Sequence, residues 1–332
     1  MRGRFLRRSP RLALVFTVVA LAIGAVAIAG LQPADLSYTP NSEGQMTNID
    51  VARAYAKNYY GAPNAVAGTS LNPPKATWFE PLNQDSNYAS EARSVAKDGA
   101  KWLNARSNVT KKAIVLDVDD TTLTTWNYEL YSNWDFNPCT NANFVGLTGP
   151  NPCPATQTMF AGNMFPPTPG MVEMVTAAKS MGYAIFWITG RGDSQHKATI
   201  ANLVDDAAVG DSVNYPNTDN VTLSGHTIEE VDAHYPMPTP EPIGHGGFSD
   251  GLFTKPPIGQ YPAYLNKPEF CKSAIDAGLS CATIPYKSGT RAYIEETLGY
   301  DIVADFGDQF SDLEGGFADK TFKMPNPNYY LP

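Results

Sequence analysis

Three carboxylates fall within four positions at Asp117-Val118-Asp119-Asp120, directly after the apolar run Ala113-Ile114-Val115-Leu116. Like charges this close are costly unless a cation compensates them or one carboxyl keeps a proton. Alternate side chains of an extended chain share a face, so Asp117 and Asp119 can point one way and Asp120 another. That geometry suits a metal ion plus a nucleophile with a nearby acid/base. Two plainer readings fall short. An EF-hand loop begun at Asp117 needs glycine at its sixth position and glutamate at its twelfth, where this chain has Thr122 and Tyr128. A helix N-cap accounts for one aspartate, not three.

The elements that would position these groups can be read outward from them. Ala113–Leu116 is rich in branched aliphatics and does not alternate, as expected of a strand buried on both faces in a parallel sheet. Ala184–Ile188 is a second such run and ends in Thr189-Gly190-Arg191. Ile302–Phe306 is a third and ends in Gly307-Asp308-Gln309-Phe310-Ser311-Asp312. Thr283–Tyr286 reads as a short strand, with Lys287 just before a helix that Gly299 stops. Helical spacing predicts further helices over 48–60, 87–106, 171–181 and 195–208.

Two stretches break the pattern. Residues 124–169 read as neither a regular helix nor a clean strand, but as an insertion over the site. Their Trp126, Tyr128, Tyr131, Trp134 and Phe136 either stack on a substrate ring or pack the insertion itself. Residues 211–280, rich in Pro, Gly, Asn and Tyr, read as a second insertion with some structure of its own. The predicted fold is α/β: a three-layer, Rossmann-like parallel sheet with helices on both faces and cap-like insertions over the C-terminal ends of the strands.

Strand ends of a parallel sheet converge on one edge. There they would gather Asp117 and Asp119, Thr189 and Arg191, Lys287, and Asp308 and Asp312. Carboxylates for a hard cation, a carboxylate nucleophile, a hydroxyl donor and one or two cations are the inventory of phosphoryl transfer.

The remaining features bound the setting. The chain has 332 residues, 43% of them hydrophobic and 17% charged, enough for one large or two modest domains. Arg2, Arg4, Arg7, Arg8 and Arg11 precede an apolar stretch of 20 residues, Leu12–Leu31, with Ala27-Ile28-Ala29 as a cleavage-like site. A cleaved signal peptide over 1–30 and an uncleaved membrane anchor both fit. Either places the bulk of the chain in a secreted or extracytoplasmic setting. Residues 31–84 then form a tether and an N-terminal helix. Removing residues 1–29 leaves 19 basic against 33 acidic side chains, a net charge of −14, which disfavours nucleic acid and anionic membranes as partners. Cys139, Cys153, Cys271 and Cys281 suggest disulfides in an exported chain, with Cys139–Cys153 and Cys271–Cys281 as the local pairing.

Together these motifs resemble the haloacid dehalogenase (HAD) superfamily, and within it the secreted, class B-like acid phosphatase branch that includes plant acid phosphatases and vegetative storage proteins. Asp117-Val-Asp119-Asp120-Thr121, Thr189-Gly190-Arg191, Lys287 and Gly307-Asp308-Gln-Phe-Ser-Asp312 are similar to its four motifs in order. Pro167-Thr-Pro169-Gly170 and the tail from Met324 to Tyr330 are similar to that branch too. The resemblance covers roughly residues 85–332, with the long 211–280 segment as its departure. It implies an exported acid phosphatase that cleaves phosphate monoesters. Asp117 would be the nucleophile that forms an aspartyl-phosphate, and Asp119 the acid/base. Thr189, Gly190, Arg191 and Lys287 would hold phosphate, with Arg291 a weaker contact. Mg²⁺ would sit on Asp117 and Asp308, and on Asp119 through its backbone carbonyl, while Asp312 would support the metal shell or orient Lys287. The implied substrate is a small phosphorylated molecule, and the aromatic cluster from Trp126 to Phe136 hints at a nucleotide or aryl phosphate. A storage or binding protein on the same scaffold and a phosphotransferase are the alternatives.

Overall fold

The computed structural model describes residues 49–67, 82–146, 152, 164–204, 220–223, 226–229, 233–242 and 247–330. The leader expected over 1–30, the tether, Cys153 and much of both insertions lie outside the described residues. No helix among the described residues is long and apolar enough to cross a membrane. The chain divides into two compact units, residues 1–55 and 56–332, and the second carries the fold described next.

In chain order the helices are α1 (Ile49–Tyr59), α2 (Asn87–Asn104), α3 (Trp126–Ser132), α4 (Pro138–Val145), α5 (Met171–Ser180), α6 (His196–Leu203), α7 (Lys272–Asp276), α8 (Thr283–Glu296) and α9 (Phe310–Leu313). The strands are β1 (Lys112–Leu116), β2 (Ala184–Gly192), β3 (Asn220–Leu223), β4 (His226–Glu229), β5 (Leu252–Lys255), β6 (Asp301–Gly307) and β7 (Thr321–Lys323). Five of the strands make one sheet in the order β5-β2-β1-β6-β7. Every pairing in it is parallel. β3 and β4 form a separate antiparallel pair.

Both faces of this sheet are covered, as the non-alternating runs require. Ile114, Leu116, Ile185 and Trp187 turn to one face, into a core shared with Ala92 and Ala96 of α2 and Met174 and Val175 of α5. Ala113, Val115, Phe186 and Ile188 turn to the other, against Tyr286, Tyr293 and Ile294 of α8. The α/β three-layer expectation holds. α2 begins where Ser86 caps it, its side chain accepting from Ala89 N at 3.1 Å.

Three sequence expectations differ from the structure. Thr283–Tyr286 is the first turn of α8, not a strand. Its β-branched residues suggested extension, but Pro285 is tolerated in a first turn, where the backbone N–H has no partner to lose. The described residues of 124–169 contain two short helices. The second is capped by Asn137, whose side chain accepts from Cys139 N and Thr140 N ahead of Pro138 in the first turn. The 211–280 segment contributes β5, an edge strand of the main sheet, through pairings such as Trp187 with Leu252 and Gly192 with Lys255. Cys271 and Cys281 are joined, and Cys139 is also disulfide-bonded.

Candidate active site

β1 delivers Asp117 immediately beyond its last residue, with the Asp117 N–H donating to Phe306 O of β6 at 2.9 Å. The chain then turns sharply. Asp120 takes a positive φ of 50° and is wholly buried, accepting from both the backbone N and the hydroxyl of Thr125. Asp120 is thus a structural clamp, while Asp117 and Asp119 both line a cavity of about 510 Å³. A cavity of this size takes a small organic ligand.

Lys287 reaches the same point from the second turn of α8. Its Nζ donates to Asp117 Oδ1 and, at 2.7 Å, to Asp312 Oδ1. A helix N-terminus does not present it, as the sequence suggested; the long side chain spans the distance. Burial alone would push the Lys287 ammonium down, but Asp117 and Asp312 more than offset it and its pKa ends raised. Burial pushes Asp117 well up despite Lys287, and Asp312, Asp308 and Asp119 add to the rise.

β6 ends in Gly307, and α9 follows almost at once. The Gly307 hydrogen is required: a Cβ there would lie 2.3 Å from Asp312 Cβ. That close approach lets Asp312 Oδ2 accept from Gln309 N at 2.8 Å while Oδ1 meets Lys287. Asp308 accepts from Gln309 Nε2 and Asn326 Nδ2, each at 2.6 Å, and from Thr121 Oγ1 at 3.3 Å. Burial first, then Asp312 and Asp120, raise Asp308 to about 7.

Oxygens of Asp117, Asp308 and Asp312 lie within 4.8 Å of one another, and all three residues are buried. One ammonium faces three carboxylates, so a divalent ion with oxygen preference fits the donor set and its charge. The Asp119 carboxylate, whose residue is expected to meet the metal only through its backbone carbonyl, is not in this group. It is gripped by Arg191, whose Nη2 and Nε donate at 2.6 and 3.0 Å. Arg191 Nη1 donates to Thr199 Oγ1 at 3.0 Å, so the fork is fixed from both ends.

The other expected phosphate ligands are placed unequally. Gly190 and Arg191 line the cavity. Thr189 is buried beneath them, its Oγ1 accepting from Arg191 N at 3.1 Å. Arg291 is fully buried and turned away. It pairs with Asp305 at 3.0 Å and donates to the carbonyls of Asp312, Glu314 and Gly316, fixing the loop that presents Asp312. Among the aromatics, Trp126 is a packing residue, 1% exposed and stacked on Tyr60 at 4.4 Å. Tyr131 packs edge-on to Phe144, whereas Tyr128, Trp134 and Phe136 do face the cavity.

Glu129, Lys255 and Tyr329 also line the cavity, and the sequence reading missed all three. Glu129 sits among aromatics that drew attention away from it. Lys255 ends a strand only four residues long. Tyr329 belongs to a tail that returns to the site, where Asn328 Nδ2 donates to Tyr60 Oη at 2.9 Å.

A parallel sheet covered on both faces, with carboxylates and cations gathered outside the C-terminal ends of its strands, defines a Rossmann-like α/β protein with its ligand site at the sheet edge. A family model for the HAD superfamily, subfamily IIIB (acid phosphatase), matches residues 64–233 and 276–332. The chain belongs to that family. Vegetative storage protein 2 of Arabidopsis thaliana is 40% identical over 55 residues, 17% of this chain and 20% of that protein. The stem 28 kDa glycoprotein of Glycine max is 46% identical over 50 residues, 14% of this chain and 19% of that protein. The chain thus aligns with about a fifth of the length of these curated relatives. Among solved structures, a class C acid phosphatase from Bacillus anthracis with tungstate bound is similar at a TM-score of 0.44 and 17% identity, over 76% of this chain and 82% of that chain.

Proposed function

We propose that the protein hydrolyses phosphate monoesters with the help of a divalent metal ion, Mg²⁺ by the hardness of its oxygen donors. The observation that carries this reading is the hydrogen-bonded group Asp117–Lys287–Asp312, which opens on a cavity beside the Asp119–Arg191 pair. Asp117 Oδ attacks phosphorus, and the bond from phosphorus to the leaving oxygen breaks. Asp119 delivers a proton to that oxygen and the alcohol departs, leaving an aspartyl-phosphate on Asp117. Asp119 then takes a proton from water, whose oxygen attacks phosphorus and releases phosphate. Arg191 holds Asp119 in place for both transfers, and Lys287 with Gly190 and Arg191 near the end of β2 faces the phosphoryl oxygens. Asp117, Asp308 and Asp312 would hold the metal, which when bound neutralises phosphoryl charge as the transition state forms.

A second reading comes from the relatives named as storage proteins, in which the scaffold serves without turnover. It would remove any need for the nucleophile, yet Asp117 and its partners are all in place here. Hydrolysis of p-nitrophenyl phosphate with Mg²⁺ or with EDTA separates the two. Turnover is expected with Mg²⁺ only. Asp117→Asn should abolish it, and Asp119→Asn should lower kcat about 100- to 10,000-fold. Equal inactivity of folded wild type and Asp117→Asn protein would favour the storage reading, and equal activity would remove Asp117 as nucleophile.

A further inference from the structure

Three cations line the cavity, and two of them are already matched. Arg191 is held by Asp119, and Lys287 by Asp117 and Asp312. Lys255 is the third. It is half-buried, and among the described residues no carboxylate pairs with it. Burial lowers the pKa of Lys255, Tyr261 opposes that next, and Lys287 adds a smaller lowering, so the two ammoniums stand close enough to feel each other's charge.

Its placement is fixed by the fold. Lys255 is the last residue of β5 and pairs with Gly192 of β2, one position past Arg191. It therefore stands at the C-terminal end of a parallel strand, where ligands are met. The preceding residue locks the strand end. Thr254 Oγ1 donates to Asp193 Oδ1 at 2.7 Å and lies 3.1 Å from His196 Nδ1, while His196 Nε2 lies 3.0 Å from Asp250 Oδ2. The family match breaks off at residue 233 and resumes at 276, so β5 and Lys255 lie outside the matched residues.

We propose that Lys255 is a specificity-determining residue that binds a second anionic group on the substrate, so that this site favours phosphate monoesters whose leaving group also carries a carboxylate or phosphate. The proposal rests on the phosphatase reading and refines its substrate class. A flexible ammonium suits a single anionic group as a point charge. The phosphoryl group itself is provided for by Lys287, by Gly190 and Arg191 near the end of β2 and by the metal that the three carboxylates would hold, which leaves Lys255 for the remainder of the molecule.

The test compares 3-phosphoglycerate with glycerol 3-phosphate, which differ only in a carboxylate against a hydroxymethyl group. Wild type should show a kcat/KM roughly tenfold or more higher for 3-phosphoglycerate, the scale of one charge-assisted contact. Lys255→Met, which keeps the apolar stem, should collapse that ratio toward one, and Lys255→Arg should restore most of it. Binding of 3-phosphoglycerate to the Asp117→Asn protein, with and without Lys255→Met, reads the same contact without turnover and should weaken about tenfold. A wild-type ratio near one, a ratio that Lys255→Met leaves unchanged, or equal loss on both substrates would overturn the proposal. Wild-type inactivity on every phosphate ester would instead overturn the phosphatase reading, and the binding arm would still decide the role of Lys255.

Discussion

Glu129 shows what a single side chain can do in this cavity. The residue is 7% exposed, and burial first, then Asp120 and Asp119, raise the pKa of its carboxyl to about 8. At neutral pH it is therefore mostly protonated and offers the cavity an O–H donor, not a fourth negative charge. The same shift has a consequence for stability. A group whose folded pKa is raised contributes stability that is complete below its unfolded value, near 4.5, and that is lost as pH rises through about 8. Asp120, raised to about 7, and Asp305, raised to about 6, act in the same direction, chiefly through burial. Thermal melts in EDTA should therefore show Tm falling from pH 5 to pH 8, and Glu129→Gln should flatten that fall by roughly 1–3 kcal/mol of folding free energy. A slope unchanged in the variant would mean that Glu129 is ionised in the folded protein. Residues of this kind are hidden in a sequence. Asp117, Lys287, Asp308 and Asp312 stand in ordered motifs at strand ends or on a core helix, but Glu129 and Lys255 acquire meaning only when distant segments enclose them.

Elements were legible where burial on both sides wrote a continuous apolar run. β1, β2 and β6 declared themselves in this way, and so did α2 and α5 through their periodic faces. The edge strands β5 and β7 did not, because four and three residues are too few to carry a period. α8 was misread at its start because Thr283 and Ile284 favour extension locally, while Tyr286 gains a buried place and donates its hydroxyl to Phe253 O at 3.0 Å only as a helix. Packing at this scale also sets the sign of a common stabilising change. Gly99 lies within α2, where alanine would gain about 1 kcal/mol of helix propensity. Its Cβ, however, would lie 2.6 Å from Phe306 Cε1 and 2.7 Å from Cζ. Phe306 is stacked on Phe322 at 4.7 Å and has no room to retreat. Gly99→Ala should therefore destabilise the protein by about 1–2 kcal/mol in denaturant unfolding. In a Phe306→Leu background the same substitution should cost less or turn favourable. Stabilisation by Gly99→Ala alone would show that α2 shifts freely over the sheet.

At the scale of the whole molecule, the sheet concentrates negative charge where its strands end. β1 supplies Asp117, while β6 and α9 supply Asp308 and Asp312, and a single buried lysine pairs with two of the three, Asp117 and Asp312. Order along the chain revealed this convergence, because parallel strands send their C-terminal ends to one edge. The 234–275 segment was not legible as part of the sheet, since nothing in its composition separates an edge strand from a loop. Folding around crowded carboxylates carries an electrostatic cost that a bound cation would offset, so metal and stability should be linked. At pH 8, Mg²⁺ at a hundred times its Kd should raise folding stability by about 2.7 kcal/mol and the Tm by a few degrees. Asp308→Asn should act in opposite directions in the two states. Without metal it removes one of three mutually repelling charges while keeping an oxygen for Gln309 and Asn326, so its Tm in EDTA should exceed that of wild type. With metal it lacks a charged ligand, so the Mg²⁺-dependent increment should disappear. A variant that is less stable in EDTA yet keeps the full increment would show that the three carboxylates are neither strained against one another nor the metal site.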